Sequence, residues 1–121
     1  MLSNIEITPE IYEKNNKVLI IKFNGELDTT NATDVLELLE KMVNEDYKEQ
    51  DIIIADFENL SYLNSTGIGV LLHFNNFVKE QQKNFALINV NDNIYDIISI
   101  IGASTVLDIH DSIEDALKEI L

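Results

Sequence analysis

The segment DIIIADFENLSYLNSTGIGVLL, residues 51–72, decides the fold of this chain. It opens with an apolar, mostly β-branched run at residues 52–55, bounded by acidic residues, which predicts a central strand buried on both faces. A polar loop is expected over residues 58–63. Apolar residues then recur at helical spacing, at Ile68, Leu71 and Leu72. The segment therefore predicts a strand that delivers Ser65 to the start of a helix.

The start of a helix gives Ser65 a distinctive electrostatic environment. The first N–H groups of a helix lack intrahelical partners and carry the positive end of its dipole, so an anion on Ser65 would be stabilised. Gly67 and Gly69 remove two Cβ atoms from the first turn, which predicts close approach by another chain. Capping alone also explains part of this pattern, because Asn64, Ser65 and Thr66 are all good N-cap residues.

Motifs spread over nearly the whole chain carry a family resemblance. The helix start stands as Asn64-Ser65-Thr66-Gly67-Ile68-Gly69, an early strand ends in Gly25-Glu26-Leu27-Asp28, and residues 109–117 read IHDSIEDAL. These segments resemble the STAS family, the fold of anti-sigma-factor antagonists. The family's helix start is Asp-Ser-Ser/Thr-Gly-x-Gly, its early turn is Gly-x-Leu-Asp, and its closing strand and helix are similar to residues 109–117. Asn64 departs from that pattern, because it stands where an aspartate is usual.

The resemblance implies partner switching. An unmodified STAS antagonist binds an anti-sigma factor that has serine kinase activity and so frees a sigma factor. Phosphorylation of the serine, here Ser65, then breaks the complex, and a phosphatase is a further implied partner. The resemblance places partner contacts at Asp28, Asn64, Ser65, Thr66, Gly67 and Gly69.

Two alternatives stay open at this point. Asp28 is equally well explained as a turn or cap residue. STAS modules also act as interaction subunits that are not phosphorylated, in transporters or stress-signalling assemblies, and the sequence does not distinguish that role from partner switching.

The remainder of the chain predicts an α/β fold. Strands are expected at residues 5–7, 18–23, 85–88 and 106–109, with a hairpin turn at 14–17, a bend at Gly25 and Pro9 tolerated on an edge strand. Helical stripes are expected at residues 35–43, 68–80, 94–101 and 113–120, with Asn31, Asn93 and Ser112 as N-caps and Gly102 as a left-handed C-cap. Alternating strands and helices imply parallel pairing. We therefore expect residues 1–121 to form one STAS-like domain, a mostly parallel central sheet with an antiparallel N-terminal edge strand and about four helices.

Charge limits the possible partners. The chain has 22 acidic and 8 basic residues, all of the latter lysine, and a formal net charge of −14. Such a chain lacks the basic footprint needed for nucleic acid and is disfavoured at anionic membrane surfaces. A protein partner with a basic face is favoured, although acidity also serves solubility.

Other chemistry finds little support in the sequence. There is no cysteine, which excludes disulfides and thiolate chemistry but does not indicate the redox compartment. Residues 1–16 have no basic region followed by a long apolar run, and no apolar stretch is long enough to cross a membrane, so we expect a cytoplasmic protein. His73 and His110 lack the spacing of paired metal ligands, no phosphate-binding loop occurs, and Ser65 has no base within sequence reach. A receiver domain that uses Asp56 is disfavoured, because no lysine follows Ile109. We expect neither enzymatic activity nor a cofactor.

Overall fold

A five-stranded sheet organises the computed structural model, which describes residues 2–121. The strands are β1 (Ile5–Ile11), β2 (Val18–Leu27), β3 (Ile52–Leu63), β4 (Asn84–Ile88) and β5 (Ile109–His110). The helices are α1 (Ala32–Lys41), α2 (Ser65–Glu80), α3 (Asp92–Ile101) and α4 (Ile113–Ile120). A π-helical turn at Met42–Asp46 extends α1, and a 3-10 turn at Ala103–Thr105 follows α3.

The sheet has the predicted topology. Its strand order is β1-β2-β3-β4-β5, the pair β1–β2 is antiparallel, and the other three pairs are parallel. Strand β3 occupies the centre, and Ile53 and Ile54, which point to opposite faces, are both fully buried. The mixed α/β sheet with an antiparallel N-terminal edge strand and four helices is therefore confirmed.

The two faces of the sheet are covered unequally. Helices α1, α2 and α3 pack on one face and contribute Val35, Leu71 and Ile98 to the larger core cluster. Helix α4 packs alone on the other face, where Ala116 meets a smaller cluster: Val18, Ile20, Ile52, Ile54, Ala86 and Ile88. The larger cluster therefore positions α2, whose first turn carries Ser65.

The predicted loop at residues 58–63 is wrong, because β3 continues to Leu63. Its second half pairs with the end of β2 through two irregularities of register. Phe57, Leu60 and Leu63 are consequently buried at three-residue spacing rather than in strict alternation. An irregular strand of this kind does not show the two-residue period by which strands are recognised in a sequence.

Strand β1 also differs from prediction, because it runs through Pro9 to Ile11 rather than ending at residue 7. The boundaries of two further strands differ as well. Strand β2 continues through Gly25 to Leu27, and Gly25 adopts a φ of 125° where the backbone of Asn4 passes too close for any side chain. The last strand is only Ile109–His110, while Val106 is 50% exposed after the 3-10 turn. Neither feature has a periodic signature in the sequence.

Helix ends follow the predicted chemistry in two of four cases. Gly102 ends α3 in the left-handed region, and the Ser112 side chain caps α4. Helix α3 is capped by Asn91 rather than by Asn93. Asn31 precedes α1, but its side chain makes no capping hydrogen bond and serves the preceding loop instead. On helix α2, the polar residue Asn75 is only 2% exposed and lies on the buried side of the helix.

Gly67 fits against the chain's own β2 strand. A Cβ atom at this position would lie 2.7 Å from Leu63 Cδ1 and 2.8 Å from the Leu27 carbonyl oxygen. Gly69 is different, because no atom lies within 4 Å of the equivalent position. The space at Gly67 is therefore used by the chain's own packing, and the expected approach of a partner chain stays a prediction for Gly69, where the surface is open.

Replacing the two glycines by alanine separates these roles. Gly67→Ala is expected to lower the free energy of unfolding by about 1–3 kcal/mol, the usual cost of forcing an extra methyl group into a packed site. Gly69→Ala, the matched control, is expected to leave stability unchanged or raise it by up to about 1 kcal/mol, because alanine favours the helix. Urea unfolding of both variants measures the difference, and equal stabilities would contradict the packing role of Gly67.

Candidate functional site

Ser65 is the first residue of α2 and its side chain is exposed. It lies directly beyond the carboxyl end of the central strand β3. Its hydroxyl makes no hydrogen bond with any of residues 2–121. The side chain is therefore accessible to another protein at the positive end of a 16-residue helix.

The helix is capped by the residue before Ser65. Asn64 has an extended backbone, and its Oδ1 accepts a hydrogen bond from the Gly67 N–H at 3.0 Å. The Asn64 carbonyl accepts the first helical bond from the Ile68 N–H at 3.0 Å. Because Asn64 supplies the cap, the hydroxyl of Ser65 is not needed to form the helix.

Asn31 shapes the loop between β2 and α1. Its side chain is buried at 1% exposure, and its Nδ2 donates to the carbonyl oxygens of Ser3 and Glu26, both at 2.7 Å. Its Oδ1 accepts from the Asp28 N–H at 3.1 Å. This buried amide connects the loop to strand β2 and to the segment that precedes β1, and so defines where Asp28 lies.

Two hydrogen bonds join this loop to the start of α2. Asn64 Nδ2 donates to Thr29 Oγ1 at 3.3 Å, and Thr29 Oγ1 donates to Thr66 Oγ1 at 3.2 Å. Residues 35 positions apart in the chain thus meet beyond the carboxyl ends of strands β2 and β3. Thr29, which sequence reasoning did not select, is the link between them.

The six predicted contact residues fall on both sides of this junction. Asp28 lies half-buried in the β2–α1 loop, and Asn64 is half-buried at the cap. Ser65, Thr66 and Gly69 are exposed on the first turns of α2. Gly67 is buried and takes no part in the accessible surface. The structure therefore brings the predicted residues together, with Gly67 as internal packing.

Asp28 carries the negative charge of the site. The Thr30 hydroxyl donates to Asp28 Oδ1 at 2.6 Å and holds the pKa of Asp28 below its ordinary value of 3.8. Partial desolvation opposes this shift, while the Thr30 N–H at 2.9 Å reinforces it. The ion pairs among residues 2–121 lie elsewhere, so no basic side chain neutralises Asp28.

Two grooves of the surface are lined by residues other than Ser65. One of about 500 Å³ runs between the β1–β2 hairpin and the first turn of α4. A polar cleft of about 170 Å³ is lined by Lys22, Phe23, Asp56, Glu58 and Asn59. Within residues 2–121 there is no group of three side chains able to hold a metal ion. None of the helices in this range is both long and apolar enough to cross a membrane.

Comparison with known proteins identifies relatives over most of the chain. The family model described as STAS domain matches residues 9–116. The anti-sigma-B factor antagonist of Listeria monocytogenes is 29% identical over 105 residues, which cover 87% of this chain and 90% of that protein.

Solved structures share the fold at lower identity. SpoIIAA of Bacillus in its phosphorylated form superposes with a TM-score of 0.65 at 18% identity, over 96% of this chain and all of that one. The murine anion transporter Slc26a9 contains the same fold, with a TM-score of 0.74 at 17% identity over 94% of this chain and 21% of the transporter. At these identities the likeness concerns the fold alone.

The hydrogen bond from Thr30 to Asp28 predicts a measurable effect on the pKa of Asp28. Thr30→Val is expected to raise the pKa of Asp28 toward 3.8, because the variant loses the hydroxyl donor. A folded pKa below the unfolded one means that the carboxylate stabilises the fold above pH 3.8 and loses this effect as pH falls through the folded pKa. NMR titration of the Asp28 carboxyl carbon measures the shift. Thr33→Val, on the exposed side of α1, is the control, and equal Asp28 pKa values in both variants would refute the assignment.

Proposed function

The chain belongs to the STAS domain family, and from that premise we propose that it is an anti-sigma factor antagonist that works by partner switching. In its unmodified form it binds an anti-sigma factor with serine kinase activity, which releases a sigma factor. Phosphorylation of Ser65 dissociates the complex, and a phosphatase restores the binding form. The name of the Listeria relative supports the role, and the form in which SpoIIAA was solved supports the modification.

One observation carries the assignment of Ser65. Its hydroxyl is exposed and free of hydrogen bonds at the start of α2, while the neighbouring Asn64 caps the helix. A serine needed only for capping would have its oxygen engaged with the backbone of the first turn. A kinase can therefore reach Ser65 Oγ without disturbing the helix.

The chemistry of the proposed step belongs to the partner. Ser65 Oγ attacks the γ-phosphorus of ATP bound to the kinase, an O–P bond forms, and the bond to the β-phosphate oxygen breaks to release ADP. The hydroxyl proton passes to a base of the kinase. This chain contributes the acceptor hydroxyl and the helix start that presents it.

The first turn of α2 tolerates the added phosphate. A phosphoserine carries about −1.5 to −2 charges at pH 7 and would lie beside the free N–H groups of the helix start, which favour anions. Residues 64–69 include no basic side chain, and the ion pairs among residues 2–121 do not involve this segment. We therefore expect the domain to keep its fold, and we attribute release to steric bulk and desolvation at the interface.

The proposed contact surface combines the β2–α1 loop with the start of α2. Asp28, Asn64, Ser65, Thr66 and Gly69 form its accessible part, and Gly67 supports it from within. The charge of −14 favours a partner whose docking face is basic, because opposite fields accelerate encounter. The same charge argues against nucleic acid as a ligand.

Substitution of Ser65 tests the switch. Ser65→Ala is expected to bind the anti-sigma factor as the unmodified protein does and to resist phosphorylation. Ser65→Asp is expected to bind at least about tenfold more weakly, a loss of about 1.4 kcal/mol, because it places charge at the interface. Calorimetry with the anti-sigma-B factor of Listeria monocytogenes measures the affinities, and equal values for the two variants would count against the role of Ser65.

Mass spectrometry of the protein from its native cells tests the modification directly. We expect phosphate on the peptide that contains Ser65 and its absence from the Ser65→Ala variant. Ser99→Ala, which removes an exposed serine on α3, is the control and should leave the phosphate in place. Phosphate found only on other residues would overturn the assignment.

A further inference from the structure

The amide group of Asn64 has an orientation that its own hydrogen bonds determine. Its Oδ1 accepts from the Gly67 N–H at 3.0 Å, so the nitrogen must be the atom that faces Thr29. An amide nitrogen only donates. Thr29 Oγ1 therefore accepts from Asn64, and its own hydrogen is available for another acceptor.

The direction of the first bond sets the direction of the second. Thr29 Oγ1 donates to Thr66 Oγ1 at 3.2 Å, so Thr66 accepts within the junction. The hydrogen of the Thr66 hydroxyl finds no acceptor among residues 2–121, and Thr66 is exposed next to Ser65. The chain of hydrogen bonds thus runs from Asn64 to the surface and ends there in a donor.

An aspartate at position 64 would reverse the direction of the hydrogen bonds that run from Asn64 through Thr29 to Thr66. Its carboxylate could still cap the helix, but it has no N–H group to give to Thr29. The Thr29 hydroxyl would then donate to the carboxylate, and the Thr66 hydroxyl would be free to donate inward to Thr29. Whether the surface beside Ser65 offers a donor therefore depends on the amide of Asn64.

We propose that Asn64 is a positioning residue that orients the Thr66 hydroxyl as an outward donor, and that the partner places a carbonyl oxygen opposite Thr66. This inference rests on the proposed function and specifies the chemistry of its interface. A neutral carbonyl fits better than a carboxylate, because the chain already carries a charge of −14 and Asp28 lies in the adjoining loop.

Substitution of Thr66 tests the outward donor. Thr66→Val keeps the shape of the side chain but removes the hydroxyl, and it is expected to weaken binding of the Listeria monocytogenes anti-sigma-B factor by about fivefold to tenfold, the effect of one hydrogen bond. Thr66→Ser restores the hydroxyl and should recover most of the affinity. Calorimetry without ATP, so that Ser65 stays unmodified, measures both. Equal affinities for the valine and serine variants would overturn the proposal.

A double-mutant cycle tests the role of Asn64. Asn64→Asp is expected to weaken binding severalfold when Thr66 is present and by clearly less in the Thr66→Val background, because the donor that Asn64 orients is then already lost. The charge added by aspartate acts in both backgrounds and cancels in the comparison. The same fold-change in both backgrounds would show that Asn64 does not act through Thr66.

A measurement on the free protein distinguishes failure of this proposal from failure of the proposed function. If the unmodified chain does not bind the probe, that result counts against the antagonist role. The same cycle is then measured by urea unfolding without a partner, where the hydrogen-bond chain predicts that the effects of the two substitutions on the unfolding midpoint are not additive. Additive effects in that measurement overturn the role of Asn64.

Discussion

The close approach of α2 to the end of β2 is the contact on which the site depends. At Gly67 the helix backbone packs directly against the Leu27 carbonyl, with no room for a methyl group between them. This contact brings the first turn of α2 beside the loop that follows Leu27. Ser65 and Asp28 therefore both lie at the carboxyl ends of the neighbouring strands β2 and β3. The larger core cluster beneath, which includes Ile68 and Leu71, holds the helix in that place.

Three asparagines organise the loops at the carboxyl ends of the inner strands. In each of them the amide oxygen accepts a hydrogen bond and the amide nitrogen donates one. Asn31 accepts from the Asp28 N–H and donates to the Glu26 carbonyl. Asn64 caps α2 and donates to Thr29, while Asn91 caps α3 and donates to the Leu60 carbonyl at 3.4 Å. An aspartate could accept in each case but could not donate. Asparagine therefore joins each helix or loop start to a neighbouring segment.

The fold alone does not identify the activity. The same fold occurs in Slc26a9, an anion transporter, and in SpoIIAA, which was solved in a phosphorylated form. The features of this chain that bear on activity are local: an exposed serine without a hydrogen bond at a helix start, a half-buried aspartate in the neighbouring loop, and a strongly acidic composition. Function is therefore inferred from these side chains together with membership in the family.

Sequence patterns by themselves determined the class of fold, the central position of the 52–55 strand and the start of α2 at Ser65, because buried runs and helix caps are local signals. Only the tertiary structure decided the rest. The extension of β3 to Leu63 depends on irregular pairing with β2, the burial of Asn75 depends on packing of α2, and the space at Gly67 is filled by Leu27. The hydrogen bond between Asn64 and Thr29 likewise joins residues 35 positions apart. Contacts between residues so distant in the chain produce no periodic pattern in the sequence.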